Sequence, residues 1–291
     1  MTIVVCTRNR PVELERCLAS LAQLEPQVQE IIVVNSAGDD SAVEIARRHS
    51  ANYLYCTTAG LSRARNAGAA AARSDLVGFL DDDSIADPAW TVSLAAAFAD
   101  PKVMVATGTI ELFGGVIADY HFAILPVELQ VDRHTPGWFW LANTGGIGLG
   151  GNMMFRREAF QQWTGFDVRL GRGAPIAGAE EHLAFFQLIE SGYRCVHVPG
   201  AVVRHPGFTS EEHLASFELE MIETAAAYMT LLFVEYPAHR MELLRKFLRR
   251  LFRGKNKQVH PASSFSRKLS LWVRLRAALR GVRLYWKTRS R

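Results

Sequence analysis

The sequence predicts an α/β fold: a mostly parallel sheet flanked by helices, with a helical, basic C-terminal extension. Three observations carry this. Short apolar runs of strand length alternate with helix-patterned stretches through the first hundred residues, the order expected of a parallel sheet covered on both faces. Of the 291 residues, 49% are apolar and 21% charged, enough apolar material for a real core. The charge is also unevenly divided. The formal net charge is only +4, yet residues 1–239 carry 16 Lys and Arg against 28 Asp and Glu, while residues 240–291 carry 17 against Glu242 alone. An acidic body of residues 1–238 followed by a basic tail of 239–291 is the expected organisation, and the tail asks for an anionic partner.

The elements follow in order. Ile3–Cys6 reads as a buried strand. Pro11–Leu24 reads as a helix with Pro at its first position and Leu14, Leu18 and Leu21 at helical spacing. Ile31–Val34 is the second strand, Ser41–His49 a helix capped by Ser41, and Tyr53–Tyr55 the third strand. Ser62–Arg73 is an Ala-rich helix with a Ser cap, Val77–Leu80 the fourth strand, and Pro88–Phe98 a further helix. Met104–Leu112 looks like a strand. Residues 113–152, rich in Gly and aromatics, read as a long functional loop region with some structure of its own. Arg156–Trp163 and Glu180–Ser191 read as helices, the second ended by Gly192. Cys195–Val198 and Ala201–Arg204 read as two short strands, and from Ser210 onward the chain reads as helices.

Several classes are excluded. No segment offers 18 uncharged apolar residues in a row, and the best apolar run, Thr224–Val234, is 11 residues, too short to span a bilayer. Apolar residues begin at once after Met1 with no basic flank, so a secretory leader is not expected. The cysteines at 6, 17, 56 and 195 form no C-x-x-C pair, which argues against a zinc module or a disulfide framework and for a reducing, cytoplasmic setting.

In a parallel sheet, ligands lie beyond the carboxyl ends of the strands. At one such end stand Asp81, Asp82 and Asp83, directly after Gly78-Phe79-Leu80. Carboxylates so placed repel one another unless a cation joins them, and hard oxygen ligands suit Mg²⁺ or Mn²⁺, which also bridge to phosphates. An alternative is a solvated acidic turn.

The Asp81-x-Asp83 pattern after a strand resembles the metal site of GT-A glycosyltransferases, and its surroundings resemble glycosyltransferase family 2. Four further segments agree in order: Val4-Val5-Cys6-Thr7-Arg8-Asn9-Arg10-Pro11; Gly60-Leu61-Ser62-Arg63-Ala64-Arg65-Asn66-Ala67-Gly68; Gly151-Asn152-Met153-Met154-Phe155; and the block from Gly165-Phe166-Asp167 through Glu180-Glu181 and Gly192-Tyr193-Arg194 to His205. The likeness spans about residues 2–206. It implies a GT-A fold with a Rossmann-like sheet. It also implies an inverting enzyme that moves a sugar from a nucleotide-diphosphate donor, UDP- or dTDP-linked by preference, to a lipid-linked or cell-surface glycan acceptor.

The resemblance assigns roles. Thr7, Arg8, Asn35, Arg65, Asp81 and Asp82 fall to the donor, although alternation along an extended segment turns Asp82 away from its neighbours. Asp83, Asp81 and His205 fall to the metal, and Glu181 to the general base. Gly151, Asn152 and Glu180 fall to the acceptor side; apart from the resemblance, the aromatic cluster Trp138-Phe139-Trp140 reads as a sugar-stacking platform on that side through Trp138 and Trp140, or as local packing. Arg65, in the first turn of a helix capped by Ser62, is expected to face a diphosphate. Two departures are notable: Glu181 stands where the family usually has Asp, and Asn35 where it usually has Asp against the base. They give weight to an alternative, a non-catalytic nucleotide-sugar-binding module. A sugar nucleotidyltransferase is disfavoured because Cys6–Arg10 contains no Gly.

In the tail, Leu244, Phe247, Leu248 and Leu251 repeat at helical spacing beside Arg245, Arg249, Arg250 and Arg253. A second helix from Phe265 to Lys287 carries a stripe of Leu271, Leu275, Leu279, Val282 and Trp286 beside Arg276, Arg280, Arg283 and Lys287. Apolar stripes flanked by cations suit an anionic membrane surface, so a peripheral place at the inner face of the cell membrane is expected. Packing on the body or on a second subunit is the alternative. Nucleic acid is not an expected partner, since no motif in the body supports it.

Overall fold

The structure, a computed structural model, describes residues 1–115, 127–252 and 269–289. Its first half is the expected one. Strands β1 (Thr2–Thr7), β2 (Glu30–Ser36), β3 (Asn52–Cys56) and β4 (Leu76–Asp81) pair in parallel in the order β3-β2-β1-β4. Helices α1 (Pro11–Leu21), α2 (Ser41–Arg48) and α3 (Leu61–Ala71) make the crossovers. Ile3, Val5, Leu14, Leu18, Leu21, Val33 and Leu80 meet in one buried cluster. Each such aliphatic side chain contributes on the order of 1.5–3 kcal/mol by leaving water.

Beyond β4 the sheet becomes mixed. Helix α4 (Trp90–Ala96) follows the two-residue strand β5 (Ile85–Ala86). Strand β8 (Asn152–Arg156) runs antiparallel to both β4 and β6 (Val103–Phe113). Strand β9 (Arg194–Pro206) lies parallel to β6, and β5 and β7 (Leu129–Val131) are antiparallel to β9. The full path is β3-β2-β1-β4-β8-β6-β9-β5, with β7 on β9. Three short helices complete this part: α5 (Trp138–Asn143), α6 (Ala159–Gln162) and α7 (Glu180–Glu190).

Three sequence expectations change. The two strands read at Cys195–Val198 and Ala201–Arg204 are one strand, β9, with a register shift against β6 between Gly108 and Thr109. Gly151-Asn152 leads into a strand, β8, and the helix after it shortens to α6. The loop region of 113–152, expected to carry some structure, contains β7 and α5, and its residues 116–126 lie outside the described residues. The helix caps also shift: α3 is capped by Gly60, and α2 follows Asp40, with Asp39 accepting from the Ser41 backbone N–H at 3.1 Å. Ser62 lies inside α3 and its Oγ donates to the Leu170 carbonyl at 2.7 Å.

The chain divides into two compact units. The larger takes in Met1–Gly114, Glu180–Gly207 and most of the middle of the chain; the smaller takes in Pro175–Ala179 and the chain from Phe208 onward. The smaller unit contains α8 (Glu211–Glu235), α9 (Arg240–Phe252) and α10 (Leu271–Arg289). Ser210 caps α8, its Oγ accepting from the His213 N–H at 3.1 Å. The second tail helix is described from Leu271 on. Residues 265–268, Arg253 and the side chains of Phe247, Leu248, Arg249, Arg250 and Leu251 lie outside the described residues. Among the described residues, no helix is long and apolar enough to cross a membrane.

Candidate active site at the carboxyl edge of the sheet

The parallel register sets the site. Thr7 stands opposite Asn35, and Cys6 opposite Asp81, so the ends of β1, β2 and β4 form one edge. After the aspartates the chain turns at Ser84 into β5, whose Ile85 pairs with Arg204 of β9. That short pairing brings His205 beside Asp83. The Nε2 of His205 is 3.2 Å from Asp83 Oδ1, and its Nδ1 lies 2.8 Å from the Pro206 carbonyl oxygen. A carbonyl only accepts, so Nδ1 carries the proton and Nε2 faces the carboxylates.

Ligand atoms of Asp81, Asp83 and His205 all lie within 4.8 Å of one another. Two carboxylates and an imidazole whose outer nitrogen is held by a backbone carbonyl form a donor set that fits a divalent cation. Burial and the charges already in the cluster set the electrostatics of the site. Burial pushes the Asp82 carboxyl up to about 6, against the Thr7 hydrogen bond and the Arg10 charge. Burial also raises Asp81, opposed by Arg65. Burial acts to raise Asp83 too, but His205 and Arg10 outweigh it and hold Asp83 below its ordinary range. Burial would lower His205; the contact with Asp83 overcomes this and lifts the imidazole to about 9.

Asp82 does turn from its neighbours, as the alternation implied, but toward β1. It accepts from Thr7 Oγ1 at 2.7 Å and from Arg10 Nη1 at 3.2 Å. Arg10 also donates to Asp83 Oδ2 at 2.8 Å. It is the site residue that sequence reasoning missed. Its one signal was its place in the quoted opening motif, which says nothing of its folding back onto the aspartates. Arg8 is exposed at the same edge.

Arg65 lies one turn into α3, not in its first turn, and is only 2% exposed. It donates to Glu180 Oε1 at 2.6 Å, to the Gly150 carbonyl at 2.9 Å and to Asp81 Oδ1 at 3.4 Å. It therefore braces α7 against β4. Gly151 makes room for this: a Cβ there would come 2.5 Å from Asp81 Oδ2. Glu180 is buried, and burial together with the adjacent Glu181 charge raises its carboxyl in spite of Arg65. Glu181 differs from it. It stands in the first turn of α7, its Oε1 is 3.9 Å from His182 Nε2, and its buried Oε2 accepts no hydrogen bond.

Several expected site residues have internal partners. Asn35 spends its amide on its own turn, donating to the Asp39 carbonyl at 2.6 Å and to Tyr53 Oη at 3.0 Å and accepting from the Gly38 N–H at 2.9 Å. Asn152, expected on the acceptor side, is wholly buried. It accepts from Trp90 Nε1 at 2.8 Å and donates to the Thr109 and Ala201 carbonyls at 2.9 Å each. Trp138 stacks on Phe186 of α7 at 5.9 Å, and Trp140 meets Phe139 edge-on at 5.0 Å. For these two the packing role is the one observed.

The fold is that of the GT-A glycosyltransferases. Residues 1–349 of TarS of S. aureus, solved with UDP-GlcNAc, align with 97% of this chain and 82% of theirs at 18% identity and a TM-score of 0.62. Mannosyltransferase PcManGT of Pyrobaculum calidifontis, solved with GDP-Man and Mn²⁺, aligns with 96% of this chain and 73% of its own at 17% identity and a TM-score of 0.57. The model of Glycosyl transferase family 2 matches residues 2–164, more than half of the chain, and the chain belongs to that family. A glucosyl-dolichyl phosphate glucuronosyltransferase of Haloferax volcanii is 26% identical over 170 residues, 53% of this chain and 51% of that protein. The chain thus spans about half the length of that relative.

Proposed function

We propose that the chain is a metal-dependent, inverting glycosyltransferase that uses a nucleotide-diphosphate sugar, UDP- or dTDP-linked by preference, with Glu181 as general base. The observation that carries this is the convergence of Asp81, Asp83 and His205 at the carboxyl edge of a family 2 sheet. A neighbour of the same fold binds GDP-Man with Mn²⁺, and another binds UDP-GlcNAc, which supports both a nucleotide-sugar donor and a divalent cation of the Mg²⁺ or Mn²⁺ type. Such a cation, held by Asp81, Asp83 and His205, would supply charge neutralisation for the leaving diphosphate.

The chain's own residues do the rest. Thr7 and the Asp82 carboxylate shape the nucleoside end. Arg65 keeps Asp81 and the start of α7 in place. The acceptor hydroxyl oxygen attacks the anomeric carbon as the bond to the diphosphate oxygen breaks, and its proton passes to Glu181. An unpartnered carboxylate oxygen at Glu181 suits that task, because no protein donor has to be displaced first. The acceptor is read as a lipid-linked or cell-surface glycan, in line with a relative named for a dolichyl phosphate substrate. The basic tail is read as meeting the anionic inner face of the cell membrane.

The test is donor hydrolysis and transfer with purified protein and a panel of nucleotide sugars with Mn²⁺. Asp83→Ala and Glu181→Gln are each expected to lower turnover at least about a hundredfold while leaving the thermal midpoint within a few degrees. Wild-type turnover in both variants refutes the assignment. Donor binding without turnover on any donor favours a non-catalytic binding module.

A further inference from the structure

Helix α10 has three distinct sides. Its buried residues are Ala277, Gly281, Tyr285 and Thr288, and this side packs on α8. A Cβ at Gly281 would come 2.1 Å from the Glu223 carbonyl oxygen, so the helices meet at backbone distance. Tyr285 Oη donates to Glu235 Oε1 at 3.0 Å. At about 100° per residue, the small residues occupy one arc, and the bulky apolar ones point elsewhere. Trp272, Leu275, Leu279, Val282 and Trp286 form a continuous outer row, with Trp272 74%, Leu279 59% and Trp286 50% exposed. Along one edge of that row run Arg276, Arg280, Arg283 and Lys287, all exposed.

We propose that this outer face of α10 is an in-plane membrane helix that seats on an anionic lipid leaflet. It rests on the reading that the tail meets a membrane, and narrows that reading to one face of one helix. Charge selects the occupant. Helix α10 carries six basic residues and no acidic one; Arg280 Nε lies 3.4 Å from Glu223 Oε2 and the charge of Arg274 acts on Glu218 of α8, while Arg276 and Arg283 stand exposed along the edge of the row. A dry protein interface gains nothing from exposed cations along its rim that it does not itself pair, whereas a leaflet of acidic headgroups gains about 1 kcal/mol per cation. The dimensions agree. Trp272 and Trp286 are 14 residues apart, about 21 Å of helix, so indoles stand near both ends of the row, where amphipathic rings settle at the headgroup level. Packing through Ala277 and Gly281 holds the helix by its narrow side and leaves the broad side outward.

The experiment is flotation of the full chain with vesicles of phosphatidylcholine alone or mixed with phosphatidylserine, over a range of salt. Wild type is expected to float with the anionic vesicles and to be released as salt rises. Trp272→Ser/Leu279→Ser/Trp286→Ser is expected to lose at least tenfold in apparent affinity with an unchanged melting curve, since all three side chains are exposed. Brominated lipid is expected to quench tryptophan fluorescence in wild type and to lose most of that quenching in Trp272→Phe/Trp286→Phe. Equal flotation of wild type and the triple variant overturns the proposal while leaving a membrane-bound tail intact. No flotation of wild type overturns both. A wild-type dimer by light scattering that the triple variant abolishes, without lipid binding, assigns the face to a second copy and also overturns the proposal.

Discussion

Asp83 has both carboxylate oxygens next to cations of its own chain: Arg10 is 2.8 Å from Oδ2 and His205 3.2 Å from Oδ1. Arg10 is half exposed, so its hold on the aspartate is that of a surface pair, on the order of 1 kcal/mol or less. A divalent cation at the same carboxylate competes with it. Arg10→Gln is therefore expected to bind Mn²⁺ alone a few-fold more tightly than wild type by titration calorimetry; equal or weaker binding would show that Arg10 does not compete. The resemblance named Asp81, Asp83 and His205, and the structure groups them. Arg10 and the internal commitments of Asn35 and Asn152 were not legible in the sequence, because a residue type names donors and acceptors without saying which neighbour takes them.

At the scale of elements, Asn152 closes the irregularity where β6 and β9 slip register, tying the Thr109 and Ala201 carbonyls to Trp90 on α4. Removing it leaves buried partners unsatisfied, at about 1–3 kcal/mol each. Asn152→Ala is expected to lower the unfolding free energy by about 3 kcal/mol in denaturant melts; a change below about 0.5 kcal/mol would contradict this bracing role. In the smaller unit, Glu218 on α8 is buried with neither carboxylate oxygen hydrogen-bonded. Burial raises its pKa from the ordinary 4.5, against the charge of Arg274. A carboxyl raised in the folded state favours folding when protonated and loses that contribution as pH rises through its folded value. Glu218→Gln should therefore melt like wild type below pH 4.5 and above it at neutral pH. A gap that closes toward neutral pH would reverse the sign and refute the argument. The strands β1 to β4 were legible as unbroken apolar runs; β5 and β7 were not, because two or three residues carry no period and exist as strands only by pairing with β9.

For the whole molecule, a ligand that binds only the folded chain adds RT ln(1 + [L]/Kd), about 2.7 kcal/mol at a hundredfold excess over Kd. UDP with Mn²⁺ is expected to raise the thermal midpoint by several degrees, and a chelator to remove most of the gain. No shift with any nucleoside diphosphate and metal would count against the site.

The sequence by itself determined the α/β class, the family and the opposition of acidic body and basic tail, since apolar period, motif order and charge are properties of the chain read locally. The tertiary structure decided the rest. It made Arg65 a buried brace, turned Asp82 toward Thr7, made one strand of two, and placed the small side of α10 inward with its tryptophans out. Each of these depends on which partner arrives across the fold, and partners distant in sequence are chosen by packing and hydrogen-bond satisfaction rather than by local pattern.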